Sequence, residues 1–146
     1  MTILTTHVGS LPRPKIVSEL LFKREKEEEY NLQYFEEVIS KSVEEVVKKQ
    51  LDVGVDIISD GEMSKISYAT YVKDRYNGFA GDSERNPPQD LEKFPNYMKK
   101  IADSGGTPTY SRPCCVAEIS SKKNNDLTND IKNILSASKK FNHNKI

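Results

Sequence analysis

Residues 31–54 form one long stretch of helical periodicity that runs directly into a short strand-like segment, and this transition constrains the fold most. The apolar residues of the stretch recur at intervals of three and four, with glutamates and lysines between them: Leu32, Phe35, Val38, Ile39, Val43, Val46, Val47 and Leu51. Gly54 is expected to end the helix, and residues 55–59 then have the composition of a buried strand. A helix that leads through glycine into a strand is half of a βαβ unit, so the pattern predicts an α/β fold.

The other segments fit the same alternation of helices and strands. The remaining predicted elements are a strand over 3–8, helices over 15–28, 66–76, 91–102 and 126–141, and a strand or hairpin over 110–120. A chain of 146 residues, of which 36% are hydrophobic, has enough apolar material for one modest core. We therefore expect one domain, with strand–helix–strand units over 1–76, a loop-rich insertion over 77–113 and a strand and helix over 114–141.

Charge and hydropathy exclude several functional classes as the main role of the chain. The 22 lysines and arginines balance the 22 aspartates and glutamates and are spread along the sequence, so there is no basic field to attract a nucleic acid. No stretch reaches the roughly 18 apolar residues of a membrane span, and the first residues lack the pattern of a signal peptide. We expect a cytoplasmic protein that binds neither nucleic acid nor membranes.

The cysteines and histidines do not form a metal-binding pattern. Cys114 and Cys115 are adjacent, a spacing that neither links a small secreted fold nor matches a structural zinc site. Their β-prone surroundings predict small, buried, reduced side chains. His7 can be a base, a metal ligand or a hydrogen-bonded structural residue, and the last is the commonest outcome for a lone histidine. His143 lies in a polar tail, where we expect no role for it.

Candidate ligand-binding residues follow the two predicted strands directly. In parallel α/β sheets, ligands bind at the carboxyl ends of the strands. This placement selects three residues after the first strand and two after the second: His7, Gly9 and Ser10, then Asp60 and Glu62. In an extended chain Asp60 and Glu62 point to the same side, and the glycine between them lets a ligand approach. Such a pair is suited to acid–base catalysis, a metal or a substrate ammonium, unless Asp60 only caps the next helix.

Three tyrosines follow this pair of carboxylates at nearly helical spacing. They are Tyr68, Tyr71 and Tyr76. A stripe of aromatic residues at such intervals is more typical of packing against a core than of a platform on which a ligand stacks. We therefore expect a structural role for all three tyrosines.

Three motifs occur in a specific order along the chain. They are TTHVGSLPRP, then QLDVGVDIISDGEMSK after the long helix, and then YVKDRYNGF. In this order they resemble the cobalamin-independent methionine synthase family, particularly its shorter, single-barrel relatives. The resemblance extends over residues 5–141 and is loose over 80–113. It implies the amino-terminal portion of a TIM-type (β/α)8 barrel, incomplete in this chain because a full barrel needs about 250 residues.

The resemblance also implies a reaction and a division of roles. Members of the family are zinc-dependent methyltransferases of methionine biosynthesis, in which the thiol of homocysteine takes a methyl group from methyltetrahydrofolate. By this resemblance Val8, Gly9 and Ser10 hold the amino-acid end of homocysteine, and Glu62 accepts a hydrogen bond from its ammonium. The zinc ligands of the family lie in the later half of the barrel, so we expect no metal ligand and no catalytic residue in this chain.

Two departures from the family pattern leave alternatives open. In the methionine synthases proper, the residue matching His7 is commonly threonine and the residue matching Arg13 is uncharged. Some relatives use coenzyme M, a thiol that carries a sulfonate, and Arg13 suits such an anion. The chain is expected to be inactive alone, as the substrate-gripping part of a larger enzyme. The alternative is a non-catalytic remnant or subunit that pairs with a separate barrel half or associates with itself.

Overall fold

The computed structural model describes residues 3–83, 89–103 and 112–146. In these residues the elements are α1 (Lys15–Glu25), α2 (Leu32–Asp52), α3 (Tyr68–Arg75), β1 (Tyr76–Ala80), α4 (Pro95–Asp103), β2 (Cys114–Ser121) and α5 (Asp126–Lys140). This mixture of helices and strands is consistent with the predicted α/β class. Closure into part of a barrel stays a prediction.

The hydrophobic core forms where α1 and α5 pack against the long helix α2. Asn31 begins α2, because its side chain accepts a hydrogen bond of 2.9 Å from the backbone amide of Tyr34. The buried apolar residues are Val17, Leu20, Leu21, Phe35, Ile39, Val43, Val46, Val47, Ile58, Met63 and Ala137. Each fully buried side chain of this kind stabilises the fold by roughly 1.5–3 kcal/mol. The long helix predicted over 31–54 is therefore confirmed.

Residues 3–8 and 55–59, which we predict to be parallel strands, are paired only briefly. Thr6 and Ile57 form one isolated parallel bridge, and the Ile57 amide donates to the Thr5 carbonyl over 3.0 Å. The Asp56 carboxylate accepts the Thr5 amide at 2.9 Å and the Thr5 hydroxyl at 3.0 Å. The Thr5 amide would otherwise extend the backbone hydrogen bonds between the two segments, but the Asp56 side chain accepts it. The pairing therefore does not continue into regular strands.

The opposite edge of residues 56–58 contacts the chain that follows α5. The Ile58 amide donates to the Lys145 carbonyl over 3.1 Å, and His143 Nε2 lies 2.9 Å from the Asp56 carbonyl oxygen. Successive amides of an extended chain point in opposite directions, so residues 56–58 lie between the first residues and the last ones. The ring of His143 therefore joins two neighbouring segments, and the absence of a functional role for it stays a prediction.

A strand occupies part of the segment that the sequence predicts to be rich in loops. β1 pairs antiparallel with β2, with an irregularity between Asn77 and Phe79. Residues 77–80, inside the segment predicted to be rich in loops, form most of β1, and Gly78 lies at the irregularity in the pairing, where glycine is common inside strands. Strand β2 confirms the strand predicted within 110–120, whereas residues 104–111 and 84–88 lie outside the described residues.

The exposure of β2 corrects the prediction made for the two cysteines. All eight residues of β2 are exposed, and Cys114 and Cys115 are free thiols at its start. Among the described residues β2 pairs only with β1, and its β-prone residues are not buried. The prediction that the cysteines are buried is therefore wrong.

Helix α5 buries only some of its apolar residues against the core. Ile134 packs against the core, and Ala137 is buried. Leu127, Ile131 and Leu135 are about half exposed, at 52%, 47% and 53%. No helix within the described ranges is long and apolar enough to cross a membrane.

Candidate functional site

The loop after residues 3–8 and the turn after residues 55–59 lie directly against each other. The Leu11 amide donates a hydrogen bond of 3.0 Å to the Gly61 carbonyl. Gly61 has φ +62, and a Cβ atom at this position would lie 3.1 Å from Leu11 Cβ. Only glycine combines this backbone conformation with so close an approach. The contact brings Ser10 and Glu62 together, although 52 residues separate them in the chain.

Two hydroxyl groups hold the carboxylate of Glu62, one on each oxygen. Ser10 Oγ donates to Oε2 over 2.6 Å, and the Tyr68 hydroxyl donates to Oε1 over 2.8 Å. Glu62 is only 9% exposed, and a buried carboxylate is stable only when its oxygens have hydrogen-bond donors. Since a carboxylate offers about four acceptor positions, two remain for a further donor. The arrangement leaves a buried acceptor for a cationic group.

The backbone of Glu62 is held in an unusual conformation. Its φ of +56 lies in the left-handed region, which residues other than glycine rarely adopt. Its amide donates to Asp60 Oδ1 over 2.9 Å, so Asp60 stabilises the turn instead of joining Glu62 in a carboxylate pair. Its carbonyl accepts from Arg13 Nε at 3.3 Å and from Arg13 Nη2 at 3.0 Å. Hydrogen bonds on both sides of the residue stabilise a conformation that is strained on its own.

Arg13 joins the loop to the turn through a single guanidinium group. Besides the Glu62 carbonyl, its Nη2 donates to the Lys65 carbonyl over 2.7 Å and to Ser10 Oγ over 3.2 Å. Burial lowers the pKa of Arg13, although the nearby Glu62 and Asp60 oppose this shift, and an arginine remains charged at neutral pH in any case. These contacts with the protein itself were not predicted from the sequence, which indicated a role for Arg13 in binding an anion.

The electrostatics of the site favour an ionised Glu62. Burial raises the pKa of Glu62, but hydrogen bonds from Ser10 and Tyr68, together with the cations Lys65 and Arg13, outweigh burial and hold the pKa below its ordinary value of 4.5. The hydrogen bond to Glu62 and its negative charge in turn raise the pKa of Tyr68 above 10.0. Glu62 is therefore a fixed negative charge at neutral pH, which is suited to binding a cation rather than to donating a proton.

Three of the predicted site residues have no contact with this carboxylate. His7 lines a separate cavity of about 330 Å³ between the loop and α2, and its Nε2 is buried without a hydrogen-bond partner. Val8 is 86% exposed, and Gly9 forms the turn with φ +96. In the described part of the chain, no hydrogen bond joins any of the three to Glu62. The structure thus brings together Ser10, Arg13, Asp60 and Glu62 from the predicted set.

A larger cavity of about 410 Å³ lies between α1, α2, α3 and α5, and ion pairs involve part of its lining. Arg24 lies 2.5 Å from Asp126, and Asp130 lies 2.8 Å from Arg75. Removing one partner of such an ion pair would leave an uncompensated charge between the helices. We interpret this cavity as a space between helices and not as the binding site.

Comparison with known proteins shows the family to which the chain belongs. A family model for the catalytic domain of cobalamin-independent synthases matches residues 3–86, which include every residue of the site around Glu62. The chain belongs to this family. A methionine synthase of Sulfolobus acidocaldarius is 28% identical to it over 133 residues, which are 90% of this chain and 37% of that protein. This member of the synthase family therefore spans little more than a third of the length of the curated relative it matches.

The residues that the structure describes do not fit the zinc ion that the family implies. No group of three or more His, Cys, Asp or Glu residues that could hold a metal occurs within 3–83, 89–103 and 112–146. Cys114 and Cys115 are consecutive residues of a strand, so their side chains point to opposite faces and cannot converge on one ion. We derive no step through zinc from these residues.

Tyr68 is a residue of the site around Glu62 that the sequence does not predict. We predicted packing for it, but it is 66% exposed and its hydroxyl binds Glu62. Ser67 begins α3 through a capping box with Thr70, which places Tyr68 at the first helical position. The pattern of serine and threonine three residues apart, beginning five residues after Glu62, is the signal that could have predicted this start of the helix.

Proposed function

We propose that this chain supplies the ammonium-binding part of a methionine synthase-like methyltransferase, which transfers a methyl group to the thiol of homocysteine. The observation that carries the proposal is the buried Glu62 carboxylate, held between the hydroxyls of Ser10 and Tyr68 in the region that matches the family. Homocysteine carries an ammonium at the end opposite its thiol. A charge-assisted hydrogen bond to an ionised, buried carboxylate is among the stronger polar contacts in proteins.

The loop that carries Ser10 completes the proposed binding site for the amino-acid end. The Ser10 hydroxyl donates to Glu62 and accepts from Arg13, so it orients the carboxylate. In this proposal the backbone groups of Val8 and Gly9 contact the amino-acid end of the substrate. The exposure of Val8 and the turn at Gly9 support this role, because they leave the loop accessible to a small molecule.

The charge distribution favours homocysteine over a sulfonate thiol such as coenzyme M. The guanidinium of Arg13 already donates to the Glu62 and Lys65 carbonyls and to Ser10 Oγ. A sulfonate at this site would compete for those donors, and it would lie near the negative charge of Glu62. An ammonium meets neither obstacle.

The chemistry at the thiol end requires groups that the described residues do not provide. In the family, zinc lowers the pKa of the thiol, so that the sulfur reacts as a thiolate with the methyl group of methyltetrahydrofolate. We propose that this chain binds the amino-acid end and that a separate segment or subunit supplies the metal ligands. The chain alone is then expected to show no methyl transfer from methyltetrahydrofolate to homocysteine.

Calorimetric titration of the 146-residue chain with homocysteine tests the proposal. Glu62→Gln keeps the shape of the side chain and removes its charge. Loss of a charge-assisted contact should raise the Kd for homocysteine roughly tenfold to a hundredfold. Glu29→Gln, a change at an exposed residue outside the site, is the matched control and should leave the Kd unchanged. Equal binding by Glu62→Gln and the wild-type chain, or tighter binding of coenzyme M than of homocysteine, would contradict the proposal.

A further inference from the structure

We infer that Tyr68 is a positioning residue of this site, whose hydroxyl orients the Glu62 carboxylate for the substrate ammonium. This inference rests on the proposed function and extends it by a residue outside the motifs that indicated the family. The contact that carries it is the hydrogen bond of 2.8 Å from the Tyr68 hydroxyl to Oε1, opposite the bond of 2.6 Å from Ser10 to Oε2.

Two donors on different oxygens restrict the carboxylate more than one donor does. The terminal torsion of a glutamate side chain is broad, so a single bond from Ser10 leaves rotation of the carboxylate plane poorly restricted. The Tyr68 hydroxyl on the other oxygen fixes the plane. The acceptor positions of Glu62 that remain free then point in one fixed direction. Binding of an ammonium therefore costs less conformational entropy of the Glu62 side chain.

The exposure of Tyr68 indicates that its role is not core packing. Tyr68 is 66% exposed, whereas Thr70, two residues later in α3, is 2% exposed. An aromatic side chain so exposed gains little from apolar burial. Its backbone is nevertheless fixed, because the capping box of Ser67 and Thr70 sets the first turn of α3. The helix start therefore delivers the hydroxyl to Glu62 from the rim of the site.

Tyr68→Phe in the full chain tests the inference with two ligands. Homocysteine carries the ammonium, and 4-mercaptobutyrate is the same thiol acid without it. We expect the Kd for homocysteine to rise about threefold to tenfold in Tyr68→Phe, the size of one ordinary protein hydrogen bond, because the tyrosine acts on the ammonium only through Glu62. The Kd for 4-mercaptobutyrate should not change. Tyr34→Phe, at an exposed position of α2, is the control and should change neither constant.

A carbon-13 NMR titration of the Glu62 carboxylate gives a readout that needs no ligand. Glu62→Gln identifies the resonance by its absence. In Tyr68→Phe the pKa of Glu62 should move up towards its ordinary value, because a bond that stabilises the ionised form is lost. Tyr34→Phe should leave this pKa unchanged.

The outcomes separate the inference from the proposed function. An unchanged pKa of Glu62 and an unchanged Kd for homocysteine in Tyr68→Phe would overturn the positioning role. Equal weakening of both ligands would also overturn it, because a general disturbance of the fold does not distinguish them. If the wild-type chain does not bind homocysteine, the proposed function fails, and the carboxylate titration alone decides whether Tyr68 controls Glu62.

Discussion

Replacing Arg13 by methionine should destabilise the fold, because the guanidinium joins the two loops that form the site. Methionine keeps an unbranched stem of similar length and removes all the donors. The change removes hydrogen bonds of 3.0 Å and 3.3 Å to the Glu62 carbonyl, 2.7 Å to the Lys65 carbonyl and 3.2 Å to Ser10 Oγ. The left-handed backbone of Glu62, with φ +56, then loses the contact on its carbonyl side.

The expected loss follows from the number and kind of these contacts. One protein hydrogen bond contributes about 0.5–1.5 kcal/mol, and a buried carbonyl left without a donor costs about 1–3 kcal/mol. The bonds share one guanidinium and are not additive, so we expect the free energy of unfolding to fall by about 2–3 kcal/mol. In a domain of this size that loss lowers Tm by roughly 5–10 °C.

Urea unfolding followed by circular dichroism measures this loss against a matched control. Lys15→Met also removes a cation, but Lys15 is 91% exposed and lies 3.6 Å from Glu19 on the surface of α1. An exposed pair of this kind contributes only about 0.2–1 kcal/mol. Arg13→Lys should lose an intermediate amount, because lysine keeps the charge without the fork of donors. If Arg13→Met loses no more stability than Lys15→Met, Arg13 does not hold the two loops together.

Three further predictions follow from the same region and from α5. Gly61→Ala should cost more stability than Gly54→Ala. Both glycines have positive φ, but only at Gly61 would the new Cβ lie 3.1–3.2 Å from atoms of Leu11. Equal losses of stability in thermal unfolding would argue against this close approach. The pKa of Glu62 is lower in the folded chain than its ordinary 4.5, so its contribution to stability is complete above that value and is lost as the pH falls through the folded pKa. Urea unfolding between about pH 6 and pH 3 should show a smaller loss on acidification in Glu62→Gln than in the wild-type chain, and identical slopes would refute this assignment. The chain should self-associate through the exposed apolar residues of α5. Ile131→Glu should therefore reduce the sedimentation coefficient at high protein concentration. A wild-type chain that sediments as a monomer at all concentrations would exclude this association.

The sequence predicted the helical elements well because their signal is local. In α2 the spacing of apolar residues and the capping Asn31 together define a helix without any information from the rest of the chain. Strand β1 lacked such a signal, since Gly78 indicates a turn until its partner strand shows that it occupies a bulge. Whether Cys114 and Cys115 are buried or exposed also depends on whether another layer covers the sheet. Composition does not show this, and both cysteines are exposed.

The site was predictable in part for the same reason. The rule that ligands bind at strand ends selected Ser10 and Glu62, which the structure brings within 2.6 Å of each other. The roles of Arg13 and Tyr68 could not be predicted, because both depend on the direction of one side chain across a gap between loops. Spacing along the chain indicates which segments meet, but it does not indicate which donor reaches which oxygen.

The separation of Ser10 and Glu62 by 52 residues has a consequence for the order in which the protein folds. Both α1 and α2 lie between them, and the backbone hydrogen bonds within each helix join residues close in sequence. Closing a loop of this length costs entropy before its contacts form, so local helices generally precede it. We expect α1 and α2 to form early and the contact between the two loops to form last. Amide protons at Leu11 and Glu62 should then gain protection from hydrogen exchange later during refolding than those in the middle of α2.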